Sequence, residues 1–236
     1  MSLVKRSFVL GVGAALLLAL GACSSNDGNA TPDGSTGDDA QSADQSCGDY
    51  VCGPFGTKQG DIIENLSFSG FRDPDDLCTA HVDKAHDLSK PVRFSLSEYY
   101  NGSTTCPDKQ KKLLWVMMSA GWCGPCIDEI KSIMSQYKAG GLDPRLEVMD
   151  MLFETDTRAP TTEEFARKWQ KDLGITFPLA MDPEFQMQKY FQRNAVPVNM
   201  LIDLRTMRIH FFQTGVSLSR VGQEMVAFFS RLDNGN

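Results

Sequence analysis

The stretch KKLLWVMMSAGWCGPCIDEIKSIMSQYKAG, residues 111–140, decides the fold. Its first ten residues are almost continuously apolar, the mark of a strand buried on both faces of an α/β sheet. From Ile127 the pattern changes to helical spacing. Ile127, Ile130, Ile133, Met134 and Tyr137 share one side, and Gly140 and Gly141 stop the helix. Between strand and helix stand Trp122, Cys123, Gly124, Pro125 and Cys126. A helix N-terminus carries unpaired N–H groups and the positive end of the dipole, so Cys123 is placed where a thiolate is stabilised. The thiolate is the form that attacks a disulfide. Cys126 follows three residues later on the same helical face, close enough to close a small disulfide ring. A structural disulfide can use the same spacing, but it requires neither this position nor the exposed turn that Gly121 and Gly124 imply. Cys126 is expected to lie deeper, one turn into the helix, with poorer access than Cys123.

Working outward, DIIENLSFSGF (61–71) and PVRFSLSEYY (91–100) read as edge segments, and RLEVMDMLFE (145–154) as a second buried strand. TTEEFARKWQKDLG (161–174) has a threonine cap, acids in its first turn and a terminal glycine, which define a helix. TFPLAMDP gives a short strand and turn, and EFQMQKYF a short helix. VNMLIDL and RIHFFQTG form an antiparallel pair across a tight turn, and SRVGQEMVAFFSRL closes the chain as an amphipathic helix. Alternating strands and helices that finish as a hairpin plus helix predict a three-layer α/β domain.

The N-terminus addresses the compartment. Lys5 and Arg6 precede an apolar run, SFVLGVGAALLLALGAC, that is short for a bilayer span and ends in small residues, as an export signal does. Its end, Leu20-Gly21-Ala22-Cys23, resembles the bacterial lipobox, which implies cleavage before Cys23 and lipidation of its sulfur; an ordinary secretory signal is the competing reading. Ser24 next to it implies the outer membrane under the sorting rule of enteric lipoproteins. Residues 24–46 contain five aspartates, no basic residue, no aromatic and no Ile, Leu or Val. Such a segment cannot bury enough apolar surface to order itself and reads as a tether. The expected organisation is therefore a signal over 1–22, a lipidated tether over 23–46, and a folded domain over 47–236. Loss of Lys5 and Arg6 with the signal moves the formal charge from −7 to −9. An acidic chain without a basic stripe argues against nucleic acid as a partner.

With Cys23 assigned to lipid, six of the seven cysteines remain: Cys47, Cys52, Cys78, Cys106, Cys123 and Cys126. An even number in an exported chain favours disulfides. If Cys123 pairs with Cys126, the simplest arrangement of the others is Cys47–Cys52 and Cys78–Cys106. CTAHVDKAH also brings Cys78, His81 and His86 close together, and Cys106 completes a candidate zinc set. The spacing is unlike common zinc patterns and an oxidising space disfavours free thiolates, so no metal and no cofactor is expected.

WCGPC on a strand-to-helix turn, with the later GITFPLAMDP and NAVPVNMLID, resembles the thioredoxin superfamily, and most of all its exported, membrane-tethered TlpA-like (redoxin) branch. The resemblance covers about residues 58–233. It implies a thioredoxin-like sandwich, a central mixed sheet with flanking helices, carrying here a cysteine-containing N-terminal extension. Cys123 would attack and Cys126 resolve, Trp122 would shield the site, and Gly124 and Pro125 would tune its potential, their pairing being that of reducing members. Pro197 matches the superfamily's cis-proline, which would leave the backbone of Val196 free to pair with a substrate strand. Glu129 stands where TlpA-like proteins often carry an active-site glutamate, although a solvated helix glutamate is an equal reading.

Three departures qualify the match. Met117 replaces the buried aspartate that thioredoxin has six residues before its first cysteine. Lys131 replaces the proline that commonly kinks the helix. FQRNAVPV lacks the acidic loop of the cytochrome c maturation branch. The implied activity is thiol–disulfide exchange with exported protein thiols, served by a membrane or periplasmic electron donor and held at the bilayer through Cys23. The competing readings are a peroxiredoxin-like peroxidase, a copper module using His210, and a surface-anchored binding module without turnover.

Overall fold

The computed structural model describes residues 47–71, 90–103 and 111–235. The signal, Cys23, the tether, and the Cys78, His81, His86 and Cys106 group lie outside them. In chain order the elements are β1 (Ser67–Phe71), β2 (Val92–Ser95), β3 (Leu113–Ala120), α1 (Gly124–Lys138), β4 (Leu146–Glu154), α2 (Glu163–Leu173), β5 (Leu179–Met181), β6 (Val198–Asp203), β7 (Arg208–Thr214) and α3 (Leu218–Asp233). The strands form one sheet in the order β2-β1-β5-β4-β3-β6-β7. β3 runs parallel to β4 and antiparallel to β6, so the sheet is mixed as expected.

The apolar run of β3 is continuous because the strand is covered on both sides. All eight of its residues are buried. Strand alternation sends Leu114, Val116, Met118 and Ala120 to one core, and Leu113, Trp115 and Met117 to the other. The second core is completed by helices: Ile130 and Ile133 of α1, Ala166 and Trp169 of α2, Val221 and Phe228 of α3. Truncating Ile130, which is fully buried, is expected to cost about 2–5 kcal/mol. Such seating fixes the helix that begins at the cysteine pair.

The opposite layer closes the first core among the described residues. It is built from Tyr50, Ile62, Ile63 and Leu66 of the N-terminal extension, from Leu96 and Tyr99, and from Phe185, Met187 and Phe191. EFQMQKYF contracts to a 3-10 turn over Gln186–Lys189. The Asp182 carboxylate accepts the amides of Gln186 at 2.8 Å and Met187 at 3.0 Å, and Phe185 adopts φ 52°. This side chain-to-backbone turn satisfies the donors locally and buries the aromatic residues without a longer helix.

Cys47 and Cys52 are disulfide-bonded, with Cα atoms 5.0 Å apart. Tyr50 within that loop is buried and donates its hydroxyl to the Ile63 carbonyl at 2.8 Å. The bridge thus closes a loop whose central side chain plugs the first core. α2 starts at Thr162, whose side chain accepts the Phe165 amide at 3.2 Å, and ends at Gly174 with φ 63°, as its sequence signals require.

Candidate active site

Cys123 is the N-cap of α1. Its backbone is still extended, and its sulfur accepts the amide of Cys126 at 3.1 Å. Pro125 lies in the first helical turn, where its missing N–H costs no intrahelical bond. Cys123 and Cys126 are joined by a disulfide across a Cα separation of 5.3 Å. The turn is less open than its glycines suggest. Gly124 and Pro125 are exposed, but Cys123 is 2 % and Cys126 1 % accessible. Both sulfurs belong to the first core, with Trp122 and Val196 packed against it. Burial therefore does not rank the two cysteines. The asymmetry between them comes from the helix end, where Cys123 caps the dipole and Cys126 is already within the first turn.

Trp122 is clamped. Its indole N–H donates to Glu154 Oε2 at 2.7 Å, and the Arg158 guanidinium lies 3.9 Å from the ring centroid. Arg158 also donates to Asn194 Oδ1 at 3.2 Å, so it ties the loop after β4 to the loop before β6 across the tryptophan. Arg193 pairs with the buried Glu154. Gly121 permits this approach. A Cβ there would lie 2.5 Å from the Asp156 amide nitrogen and 2.6 Å from the Thr155 carbonyl carbon.

The Val196–Pro197 peptide is cis. Val198 pairs with Met118, so Pro197 enters the sheet beside the end of β3, from which the cysteine turn departs. The Pro197 carbonyl accepts the Gly215 amide at 2.7 Å. Among the described residues, Val196 has no backbone partner for its N–H or C=O.

Glu129 is 3 % accessible, which removes the reading of a solvated helix glutamate. Its Oε1 accepts from Asn199 Nδ2 at 3.0 Å, and Asn199 Oδ1 in turn accepts the Trp115 indole N–H at 2.7 Å. Burial pushes the Glu129 carboxyl up to about 7; the Asn199 bond opposes this and the Asp150 charge adds to it. Asp150, fully buried on β4, accepts from Ser119 Oγ at 2.6 Å and from the Trp169 indole at 2.8 Å. Burial raises its carboxyl to about 6 against the pull of those bonds and of the Met151 amide.

Asp150, Asn199, Glu154, Arg158 and Arg193 were not legible as site residues. The first two and Glu154 did carry a signal, since each is a polar residue in a largely apolar strand that reads as buried. The arginines carried none. No cluster of three or more metal-ligating side chains occurs among the described residues. His210 lies on β7, 3.3 Å from Arg231 and 3.9 Å from Glu224, away from the cysteine turn in the chain's topology.

A mixed sheet with the cysteine turn after an inner strand and a cis-proline entering the neighbouring strand defines a thioredoxin-like fold. Solved structures agree. A reduced 2-Cys peroxiredoxin of Plasmodium vivax shares 13% identity, over 76% of this chain and 86% of that one, with a TM-score of 0.54. AhpC of Enterococcus faecalis shares 12% identity, over 75% and 96%, at 0.52. A candidate thiol:disulfide interchange protein DsbE of Chlorobium tepidum shares 18% identity, over 73% and 98%, at 0.47. At these identities the first two likenesses concern the fold alone, and the third, below 0.5, adds nothing to them. No family model and no curated protein matches the chain.

Proposed function

We propose that the protein is a thiol–disulfide oxidoreductase of the bacterial cell envelope, anchored by lipid on Cys23 and acting as a reductase on exported protein disulfides. The observation that carries this reading is the Cys123–Cys126 disulfide closed across a helix N-terminus, with Cys123 as the cap. In the reduced state the same cap position favours a Cys123 thiolate, which attacks a client disulfide; Cys126 then displaces the client. The unpaired backbone of Val196 supports docking of an extended client segment beside the sulfurs. The signal and tether support the location, and no helix among the described residues is long and apolar enough to cross a membrane.

A peroxidase would use one attacking cysteine and does not need a partner three residues away in the same helix turn. Insulin reduction by dithiothreitol separates the readings. The parent protein should accelerate it and Cys123→Ser should not. Absence of acceleration together with rapid consumption of hydrogen peroxide would reverse the assignment.

A further inference from the structure

Arg158 stands in an unfavourable backbone conformation next to the cysteine turn. Residues 155–159 form a tight turn of their own: the Thr155 amide donates to the Ala159 carbonyl at 2.8 Å and the Arg158 amide to the Thr155 carbonyl at 3.2 Å. The Thr155 hydroxyl also accepts the Ala159 amide at 3.2 Å. Arg158 closes this turn at φ 65°, the left-handed region that suits glycine or asparagine and penalises a larger side chain. A long cationic residue held there is an outlier of the kind that marks functional loops. The turn is fastened to the cysteines' own strand, since Gly121, two residues before Cys123, donates its amide to the Glu154 carbonyl at 2.9 Å.

The neighbouring charges leave Arg158 uncompensated. Arg193 neutralises Glu154, whose other oxygen takes the Trp122 indole. Asp172 and, more weakly, Asp156 of the same turn hold the Lys168 ammonium of α2 charged. Among the described residues no carboxylate pairs with Arg158; its guanidinium meets the Trp122 face and the neutral Asn194 oxygen. Stacking uses the face of the guanidinium and leaves its N–H edge open, the edge that grips a carboxylate. Asn194 stands two residues before Val196. The exposed guanidinium therefore lies between the tryptophan that precedes Cys123 and the loop whose free backbone suits an extended client.

We propose that Arg158 is a specificity-determining residue, which selects client disulfides carrying an acidic residue within a few positions of the attacked cysteine. The selection rests on the exchange chemistry proposed above. In the reduced protein the Cys123 thiolate attacks the client sulfur, and the client's second sulfur leaves with the electron pair and takes a proton from solvent. Cys126, its own proton released to solvent, then displaces the client from Cys123, and that sulfur is protonated in turn. Two electrons pass to the client, and the protein ends as the Cys123–Cys126 disulfide. An acidic client brings negative charge towards the Cys123 thiolate. The guanidinium offsets that repulsion and holds the client for the first attack, without taking part in bond making.

The test uses full-length protein in detergent, reduced and then freed of reductant, with disulfide-linked dimers of a short single-cysteine peptide. Three versions carry Glu, Gln or Lys on both sides of the cysteine, and each rate is divided by that of the same dimer with dithiothreitol. The parent should reduce the Glu dimer roughly two- to fivefold faster than the Gln dimer at low salt, with the Lys dimer slowest. Added salt should shrink the spread. Arg158→Gly relieves the left-handed backbone, so that variant should fold with a parental or higher melting temperature while its Glu-to-Gln ratio falls towards unity. Arg158→Glu should put the Lys dimer first. Equal normalised rates in the parent would overturn the proposal. So would a parental Glu-to-Gln ratio in Arg158→Gly, or variants that slow all three dimers alike, as a merely structural arginine would. Failure to reduce any dimer would remove the exchange reading itself and this selection with it, whereas equal rates remove the selection alone.

Discussion

Met117 on β3 lies opposite Asp150 on β4, so the apolar residue at the position of thioredoxin's buried acid has a carboxyl group as its direct strand neighbour. A buried carboxyl group thus lies one strand away from position 117. A second acid, Glu129, reaches the same face from the helix that starts at the cysteines.

Stability should therefore fall as pH rises through the neutral range. Glu129, raised from 4.5 to about 7, binds its proton more tightly folded than unfolded. The favourable contribution is complete below the unfolded value and is lost as pH climbs through about 7. The loss is on the order of 3 kcal/mol for Glu129 alone. Urea unfolding of the oxidised protein should give a higher midpoint at pH 5 than at pH 8, and Glu129→Gln should shrink the gap. An equal gap in that variant would assign the dependence to other groups.

Gly121→Ala should destabilise the oxidised protein by about 1–3 kcal/mol, because the new methyl meets backbone on the 155–156 segment, which cannot rotate away. Gly124→Ala, whose Cβ meets nothing within 4 Å, should leave the melting temperature unchanged or slightly raised. Scanning calorimetry of the two variants side by side checks the claim; equal effects would mean that the turn relaxes.

Cys126→Ser should accumulate client proteins as mixed disulfides on Cys123, dissolved by dithiothreitol, since the resolving sulfur is gone. Cys123→Ser should trap far less. With both sulfurs buried to the same degree, this difference rests on thiolate stabilisation at the helix cap alone. Non-reducing gels of the two strains decide it, and equal trapping by both would count against the assignment of roles.

Membrane attachment should depend on Cys23. Replacement by Ser should release the protein from the membrane fraction or leave the precursor uncleaved. Unchanged attachment with a mature product of unchanged mass would dismiss the lipid anchor.

Much of this protein follows from local pattern. The apolar run 111–120, the helical spacing after Ile127, the Thr162 cap and the Gly174 stop are each settled within a few residues, because backbone hydrogen bonding and strand or helix period act over that range. The same locality makes the cysteine pair at the turn legible, including Cys123 as the residue that caps α1. Where the sequence misled, the deciding interactions were distant. The turn keeps Gly124 and Pro125 exposed while both cysteines are buried in a core against which Val196, seventy-three positions after Cys123, also packs. Of the two readings the sequence left open for Glu129, burial against Asn199 removes the solvated one, and Asp150 acquired its partners from β3 and α2. An amino-acid type carries its hydrogen-bonding groups wherever it stands, but its desolvation is a property of what surrounds it. Only the register of β3 against β4 and β6, with α1 laid across them, could bring those two carboxyl groups to one dry face.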